Sequence, residues 1–522
     1  MVASRDPIRS MCEVFQHLRG DYDAAKQTRF KRKRTGVLST GSGSDYHFRT
    51  ESAYFGMMET ARDLFRNHCL IAQGVRRLVA NILRGGFGLD VNTGDESIDR
   101  DIASRWNAWA ADPDRCDVAG EQDFHGLEKL AFQSVIVDGD ILSIPTPSGA
   151  IQQVEAHRLR TPRSTTRNVV HGVLLDQYRR RLQYWITKEN IDAMQPVPLV
   201  NDVRQIDARD PKTGDRQVFH HYMPDRVSQT RGITAFAPAC DTAGMGDDLM
   251  FAQLVKAQMA ACVTLFRELA TESQSGLPGQ GMEETTETRP NGTTRTLAGW
   301  QPGLEVFGWP GEKLIGFSPN VPNAEFFQHA MLILTIVAVN LDLPLAVLLL
   351  DPSKTNFSGW RGAMDQARQR FTDMQRWFGS SFHTPIYRWK VRQWMAKDAA
   401  LRAAAKRTGI DIFGHRWQAQ GWPYIEPVND AMGDVVQERN LLNSHRRLAA
   451  ARGINWEDLL NEIIADRVRI ITKADDAAKL LAKERGLDVT WRDLAQWPMP
   501  EGVQIAVGNQ PEPAQKEPAN AA

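Results

Sequence analysis

Side chains capable of acid–base or nucleophilic work are plentiful in this chain, but their spacing supports little chemistry. No Gly-x-x-x-x-Gly-Lys-Ser/Thr loop is present to cradle nucleotide phosphates, and neither His-Glu-x-x-His nor Gly-x-Ser-x-Gly occurs. His220 and His221 are adjacent in an expected strand, so their side chains point to opposite faces and do not jointly hold a metal. The pairs Asp247-Asp248 and Asp475-Asp476 are expected at helix starts or exposed turns, where a carboxylate favours the positive end of the helix dipole. Neither pair reads as a two-metal nuclease site. Cys12, Cys69, Cys116, Cys240 and Cys262 have no metal-ligand spacing and are expected to be reduced thiols in a cytosolic setting. The 14 tryptophans suit core and subunit-interface anchors better than platforms for base stacking. The segment that does suggest a contact is the polar run Asp351-Pro-Ser-Lys-Thr-Asn-Phe-Ser-Gly359, which carries Lys354, Thr355, Asn356 and Ser358, with Arg361 just beyond it. No catalytic residue, cofactor or metal follows from these patterns.

The elements around that loop explain why it matters. Residues 331–340 are apolar nearly all round, as a helix buried between neighbours is. The run stops at Asp342-Leu343-Pro344, because proline lacks a donor and clashes with the preceding turn. After the loop, Trp360, Met364, Ala367, Phe371, Met374, Trp377 and Phe378 recur at three- and four-residue steps, while Arg361, Asp365, Arg368, Arg370, Asp373 and Arg376 take the other face. That spacing predicts an amphipathic helix of about 18 residues, roughly 27 Å long. A short exposed loop between two anchored helices suits contact with something that moves past it.

The rest of the chain reads as α+β and mainly helical. Residues 1–44 are polar, carry Lys31-Arg32-Lys33-Arg34, and form either a solvated arm or one that touches phosphate or an acidic surface. Helical periodicity covers residues 51–83 and stops at Gly85-Gly86, and further helices are expected at 102–111 and 124–137. Short strands are expected at 141–144, 169–175, 182–187 and 217–222. Helix returns at 235 and is expected to run to 270, with Gly244 and Gly246 as places for a bend. Residues 272–325 hold nine glycines and six prolines and lose periodicity. They are expected to contain a disordered or hairpin stretch at 283–296 and strands at 304–309 and 313–317. Helices are then expected at 385–405, 437–452, 456–465 and 475–485, and the tail from 503 has a composition that cannot bury a core.

Composition sets outer bounds. At 522 residues the chain is long enough for several domains, and its 63 basic and 63 acidic residues cancel. The N-terminus has no apolar core of the signal-peptide kind. Residues 330–350 approach the length of a membrane span, but Asn340, Asp342 and Pro344 lie at the middle, where a central Asp alone costs about 2.5 to 3.5 kcal/mol. Two shorter elements flanking a turn account for the segment.

The order small-apolar helix, Leu-Pro, Asp-x-Ser-x-x-Asn-Phe-Ser-x-x-Arg, Ala-x-x-x-Ala-Arg-x-x-Phe resembles the portal proteins of tailed bacteriophages, specifically the lambda-like family. Upstream, Ala61-Arg62-Asp63-Leu64, Arg66-Asn67, residues 75–82, Trp106-x-x-Trp109, Pro113-Asp114-x-Cys116-Asp117 and Asp123-Phe124 resemble the same family in the same order. The resemblance covers roughly residues 50–430. It implies a portal fold with wing, stem, clip and crown regions, assembled as a ring of about twelve subunits. On this chain it implies a basic arm at 1–44, wing at 45–244, a stem helix at 245–271, clip at 272–325, a second stem helix at 326–345, channel loop, long helix and remaining wing at 346–433, crown at 434–495 and a disordered tail at 496–522. It further implies a virion component, made in the host cytoplasm, at the capsid vertex through which double-stranded DNA is packaged and ejected. Terminase large subunit, major capsid protein and a head–tail adaptor are the implied partners; no membrane is.

On that resemblance the loop projects into the channel and offers Lys354, Thr355, Asn356, Ser358 and Arg361 to DNA without reading sequence. If about twelve copies of Lys354 each neutralised a phosphate together, log K would fall against log salt with a slope of roughly −11, the behaviour of a clamp. One lysine per loop beside Asp351 in a neutral chain suits weak, shifting contacts. The other classes considered are a phage DNA-processing enzyme, marked by metal-dependent DNA cleavage, and a membrane-associated assembly protein, marked by detergent-dependent solubility.

Overall fold

The computed structural model describes residues 51–162, 169–188, 203–268, 284–288, 294–298, 304–308, 324–353, 355–485 and 489–495. The arm at 1–44, the strand expected at 313–317, Lys354 and the tail from 496 lie outside the described residues. The chain divides into two compact units, Met1–Asp430 and Ala431–Ala522.

In the first unit the apolar periodicity of residues 51–83 becomes two helices, α1 (Glu51–Asn67) and α2 (Cys69–Leu83), in place of one. His68 separates them, because its side chain accepts from the Ile71 backbone N–H as the cap of α2. Next come β1 (Phe87–Val91), α3 (Glu96–Ala110), the short α4 (Pro113–Cys116) and α5 (Phe124–Val137). Asp95 and Asp123 cap α3 and α5 by accepting from backbone N–H groups of the first turn. The β region that follows contains β2 (Asp140–Pro145), β3 (Ile151–Glu155), β4 (Val169–Val170), β5 (Val173–Leu175), β6 (Arg181–Thr187), β7 (Val203–Asp207) and β8 (Phe219–Tyr222). These strands form an antiparallel sheet ordered β3-β2-β8 and an antiparallel sheet ordered β4-β5-β6-β7. Leu142, Ile144, Val154, Val173, Tyr184 and Ile206 make their shared apolar core.

The helix expected over 235–270 is α6 (Cys240–Cys262), and Val263–Glu268 is a strand, β9. The run Val263-Thr264-Leu265-Phe266 is β-branched and aromatic, which favours the extended chain over the helix. Neither Gly244 nor Gly246 breaks α6. Gly246 serves close approach instead: a Cβ there would stand 3.0 Å from Ile333 Cγ2 on α7 (Ala324–Asn340). Asp247 lies inside α6, not at its start, and faces His68 at 3.4 Å. Between α6 and α7, β10 (Glu284–Thr288) and β11 (Thr294–Ala298) pair as an antiparallel hairpin, and β12 (Leu304–Gly308) pairs parallel with β9.

Pro344 caps the short α8 (Leu345–Leu349), and α9 (Phe357–Phe378) follows with 22 residues, starting three residues before the expected Trp360. A π turn, Gly379–His383, joins α9 to α10 (Thr384–Lys397), and Asp398 caps α11 (Ala399–Ala404). Then β13 (His415–Ala419) pairs antiparallel with β1. The largest core gathers Val75, Leu78 and Ile82 of α2, Trp106 and Trp109 of α3, Phe132 of α5, Phe371 and Phe378 of α9, and Tyr387 of α10. Trp106 sits edge-on to Phe124 at 5.1 Å, and Phe378 stacks on Phe382 at 4.8 Å.

The second unit contains the end of α12 (Pro427–Arg439), then α13 (His445–Ala451), α14 (Trp456–Arg485) and α15 (Trp491–Ala495). One helix expected over 437–452 is interrupted at Leu441, whose φ is 57°, and restarts behind the Ser444 cap. The two helices expected at 456–465 and 475–485 are one of 30 residues, because nothing between them is glycine or proline. Asp475 and Asp476 therefore lie mid-helix.

Candidate functional site

Leu350 is the C-cap of α8, and the six residues 351–356 lead from it to α9, which begins at Phe357. Asp351 Oδ1 accepts from the Ser353 backbone N–H at 3.0 Å. The Thr355 backbone N–H and Oγ1 both donate to the Pro352 carbonyl, at 3.0 and 2.9 Å. Asn356 Oδ1 accepts from the Gly359 N–H at 2.7 Å, so Asn356 is the N-cap of α9 and not a free side chain. Asp351, Pro352, Ser353, Thr355, Asn356, Phe357 and Ser358 are all exposed. The loop braces itself and leaves its outer face to solvent.

Its base is buried. Leu341, Leu343 and Leu348 are in the core, and a Cβ at Gly74 of α2 would stand 2.8 Å from Leu341 Cδ1. Asn340 Nδ2 donates to the Ala235 carbonyl at 2.8 Å. Asp342 and Leu350 have φ of 54° and 56°, the left-handed region that disfavours branched side chains, so the chain is held there by its surroundings. On the far side, Met364, Ala367, Phe371, Met374 and Phe378 face the core as their spacing predicts, and Gln375 Nε2 donates to the Ile82 carbonyl at 2.8 Å. Arg370 pairs with Asp342 across the base at 3.2 Å.

Thr355, Asn356 and Ser358 thus lie together at the exposed junction of loop and helix. Arg361 is one turn further along α9 and engaged elsewhere: Nη2 donates to Asp430 Oδ1 at 2.9 Å, and Glu426 lies 3.5 Å away. Two carboxylates beside one half-exposed guanidinium cancel its field.

The helix α7, apolar nearly all round, is only partly covered within one chain. Val337 and Ala338 are buried, but Phe327, Leu332, Ile336 and Val339 are exposed, and Val339 is 70% exposed. Met250, Phe251 and Leu254 on α6 are exposed as well.

Buried charge is what sequence reasoning missed. Arg231 is buried and uses its whole guanidinium: Nε and Nη2 donate to Asp140, Nη1 to the Leu159 and His171 carbonyls at 3.0 Å, and Nη2 to the Ala156 carbonyl at 2.8 Å. His220 Nε2 lies 2.9 Å from Asp140 Oδ2. Burial alone would raise the Asp140 carboxyl, but Arg231 and His220 together hold it below the usual carboxylate range. Burial also pushes His220 down to about 4 and His221 down to about 3, so both imidazoles are neutral at pH 7. Nearby, Arg62 grips Asp138 with two hydrogen bonds of 2.7 and 2.8 Å and reaches Glu155 at 3.2 Å. Glu128, also buried, bridges His125 and His383 at 2.9 Å each. The local signal was a charged residue set in an apolar run, as Asp140 before Ile141-Leu142.

The acidic residues Asp138, Asp140 and Glu155 are each paired with an arginine, Asp138 and Glu155 with Arg62 and Asp140 with Arg231. Among the described residues, no group of three or more His, Cys, Asp or Glu side chains is placed to hold a metal ion. No helix among them is long and apolar enough to cross a membrane.

Comparison with known proteins identifies the family. Residues 50–375, more than half the chain, match the family described as "Phage portal protein, lambda family". A similar protein, the "Probable portal protein" of Halomonas phage phiHAP-1, is 20% identical over 469 residues, covering 85% of this chain and 86% of that one. A chain from the solved structure described as "Neck of empty GTA particle computed with C6 symmetry" aligns at 12% identity over 67% of this chain and 90% of its own. Its TM-score is 0.36, too low to carry a statement about shared fold. The family match runs from α1 through all but the last three residues of α9, and the chain belongs to the lambda family of phage portal proteins.

Proposed function

We propose that copies of this chain close into a ring at the capsid vertex, and that double-stranded DNA passes through its channel during packaging and ejection without chemistry by the ring itself. The single observation that carries this reading is the family match over residues 50–375, which spans both the helices and the loop. Two structural features support it. The apolar residues exposed on α6 and α7 supply the face that a head-to-tail neighbour would cover, and heterologous contacts of that kind close into rings. The described residues of the loop at 351–356 are exposed and braced, and its base is buried, as suits a guide past which a polymer slides.

Lys354, Thr355, Asn356 and Ser358 then face the duplex, while Arg361 fixes the start of α9 through Asp430. The ring would dock a terminase large subunit, the major capsid protein and a head–tail adaptor, the paired helices α6 and α7 acting as stem and β9–β12 as clip. The second unit would form the crown.

Electron microscopy of the purified protein tests the ring: closed particles with a central hole are expected, and a population of monomers and dimers alone would overturn it. Packaging assays test the loop. Lys354→Glu is expected to slow packaging more than Lys354→Ala, and unaltered packaging by both variants would remove the loop from the mechanism.

A further inference from the structure

A second surface of the first unit has a chemistry that DNA passage does not use. The turn between β5 and β6, the strand β6, and the segment that leads from β7 into β8 enclose a cleft of about 380 Å³. Arg179, Arg180, Arg181, Arg209 and Arg216 line it, and none of the described residues lining it is a carboxylate. Three of these arginines are held by neutral acceptors. Arg179 donates to the Ser228 carbonyl and to Thr230 Oγ1, Arg181 to the Tyr222 hydroxyl and the Thr230 carbonyl, and Arg209 to the Gly214 carbonyl. The carboxylates of the same hairpins are engaged outside the lining: Asp176 accepts from the Tyr178 and Arg180 backbone N–H groups of its own turn, Asp207 accepts from Gln183, Asp210 closes its own turn, and Asp215 pairs with Arg392. Arg180 and Arg216 are exposed at the rim. The exposed guanidinium groups of Arg180 and Arg216 therefore stand at the rim of a recess whose described lining holds no carboxylate.

The floor adds a second requirement. His220 lines the cleft with its side chain 1% exposed. Its Nε2 faces the Asp140 carboxylate and must donate to it, so Nδ1 carries a lone pair. That Nδ1 is buried and has no hydrogen-bond partner. An occupant that satisfies the site must bring oxyanions for the arginines and an N–H or O–H donor for His220.

Size and ring geometry decide among anions. The recess has the volume of a pocket that encloses a short segment or small ligand, and a duplex is too wide to enter it. A nucleotide would bring phosphate and donors, but its base would find no open aromatic face. Arg181 lies over the Tyr222 ring at 4.9 Å, His220 packs on Tyr222 at 4.8 Å, and Tyr184 meets His220 edge-on at 5.7 Å. An acidic polypeptide brings carboxylates that match the guanidinium fork and a backbone N–H at every residue.

We propose that the arginine-lined cleft between the β5–β6 turn and β8 is a docking site for an acidic peptide segment of a partner protein, whose carboxylates pair with Arg180 and Arg216 and whose backbone N–H reaches His220 Nδ1.

The test is fluorescence anisotropy of a labelled oligoglutamate peptide titrated with the full chain. Saturable binding is expected, weakened about tenfold or more by the double variant Arg180→Glu/Arg216→Glu. These two side chains are exposed, so that variant should keep the wild-type melting temperature. The control Arg467→Glu/Arg469→Glu, on α14, should bind as wild type; equal weakening there would mean generic charge attraction and would overturn the proposal. Linear polyphosphate of matched charge is expected to compete more weakly than unlabelled oligoglutamate, because it brings no backbone donor. Competition at least as strong, or binding unchanged by the cleft variant, would likewise overturn it.

Discussion

His221 makes the first unit acid-labile in a way that can be measured at one residue. The ring is fully buried between β8, β2 and the π turn after α9. Its Nδ1 lies 2.9 Å from the Ser381 carbonyl, which only accepts, so Nδ1 carries the proton. Nε2 therefore accepts from the Ser143 hydroxyl at 3.0 Å. A second proton on Nε2 would reverse that hydrogen bond and place a charge with no carboxylate partner in the core. Burial is the main cause that pushes the imidazole from its usual 6.5 down to about 3. The sign follows directly. Between pH 3 and 6.5 the unfolded chain binds a proton at this site and the folded chain does not, so stability rises with pH through that window and is lost as pH falls. Going from pH 7 to pH 5, His221 alone should remove about 2 kcal/mol of stability.

The variant His221→Gln keeps an amide donor for Ser381 but does not titrate. It should be less stable than wild type at pH 7, where the neutral His221 makes its full contribution. The informative quantity is the difference between the two urea midpoints, followed by tryptophan fluorescence at pH 7, 6 and 5. The gap must shrink by roughly 2 kcal/mol on going to pH 5. His220, pushed down to about 4 by burial, remains in both proteins and contributes the same slope to each. A gap that stays constant across the three pH values would refute the argument that buried His221 is neutral for want of a partner.

Other outcomes follow from the same geometry. Arg231→Met leaves Asp140 buried without its cation and should cost about 3 to 5 kcal/mol, whereas Arg231→Met with Asp140→Leu should recover part of that loss; denaturation midpoints measure both. Asn356→Ala removes the cap of α9 and should cost about 1 kcal/mol, seen as faster hydrogen exchange at residues 357–361, while Asn356→Asp should keep the wild-type rate. Val339→Asp sits on the exposed face of α7 and should change the stability of the single chain by no more than about 0.5 kcal/mol. On the ring proposal it should nevertheless reduce the assembled fraction in sedimentation velocity, and undiminished assembly would count against α7 as a subunit contact.

What the sequence made legible was local. Helix α5 has the bounds its periodicity predicts, because Asp123 supplies a cap and the apolar positions recur every three or four residues. The inward face of α9 was equally plain, from Met364 to Phe378. Local pattern failed where a distant residue decides the outcome. Gly246 looks like a helix breaker until Ile333, far along the chain, is seen to need the space. Asp140 and Arg231 are separated by 91 residues, and no window of sequence joins them. The apolar circumference of α7 was legible as a helix buried between neighbours, but periodicity cannot say whether the covering surface belongs to the same copy. The candidate loop was legible as polar and exposed; that Asn356 is committed to capping and Arg361 to Asp430 was not.

These commitments bear on how the loop could work. The side chains of Asp351, Thr355 and Asn356 are spent on its own shape, and Leu350 and Asp342 hold strained backbone at its base, so this part of the loop resists reshaping around a ligand. The helix α9 carries any load from it over about 33 Å into the core, ending at Phe378 and the π turn whose Ser381 and His383 are tied to His221 and Glu128. A rigid guide of this kind gains little entropy from loosening and loses little on contact. On the proposed reading, passage of the duplex then depends on keeping each contact individually weak, because about twelve contacts near 0.5 kcal/mol each already sum to several kcal/mol if they act together. The cancellation of Arg361 by Asp430 and Glu426 serves that end, since a free arginine in every copy would add a second ring of charge beside Lys354 and turn the guide into a clamp.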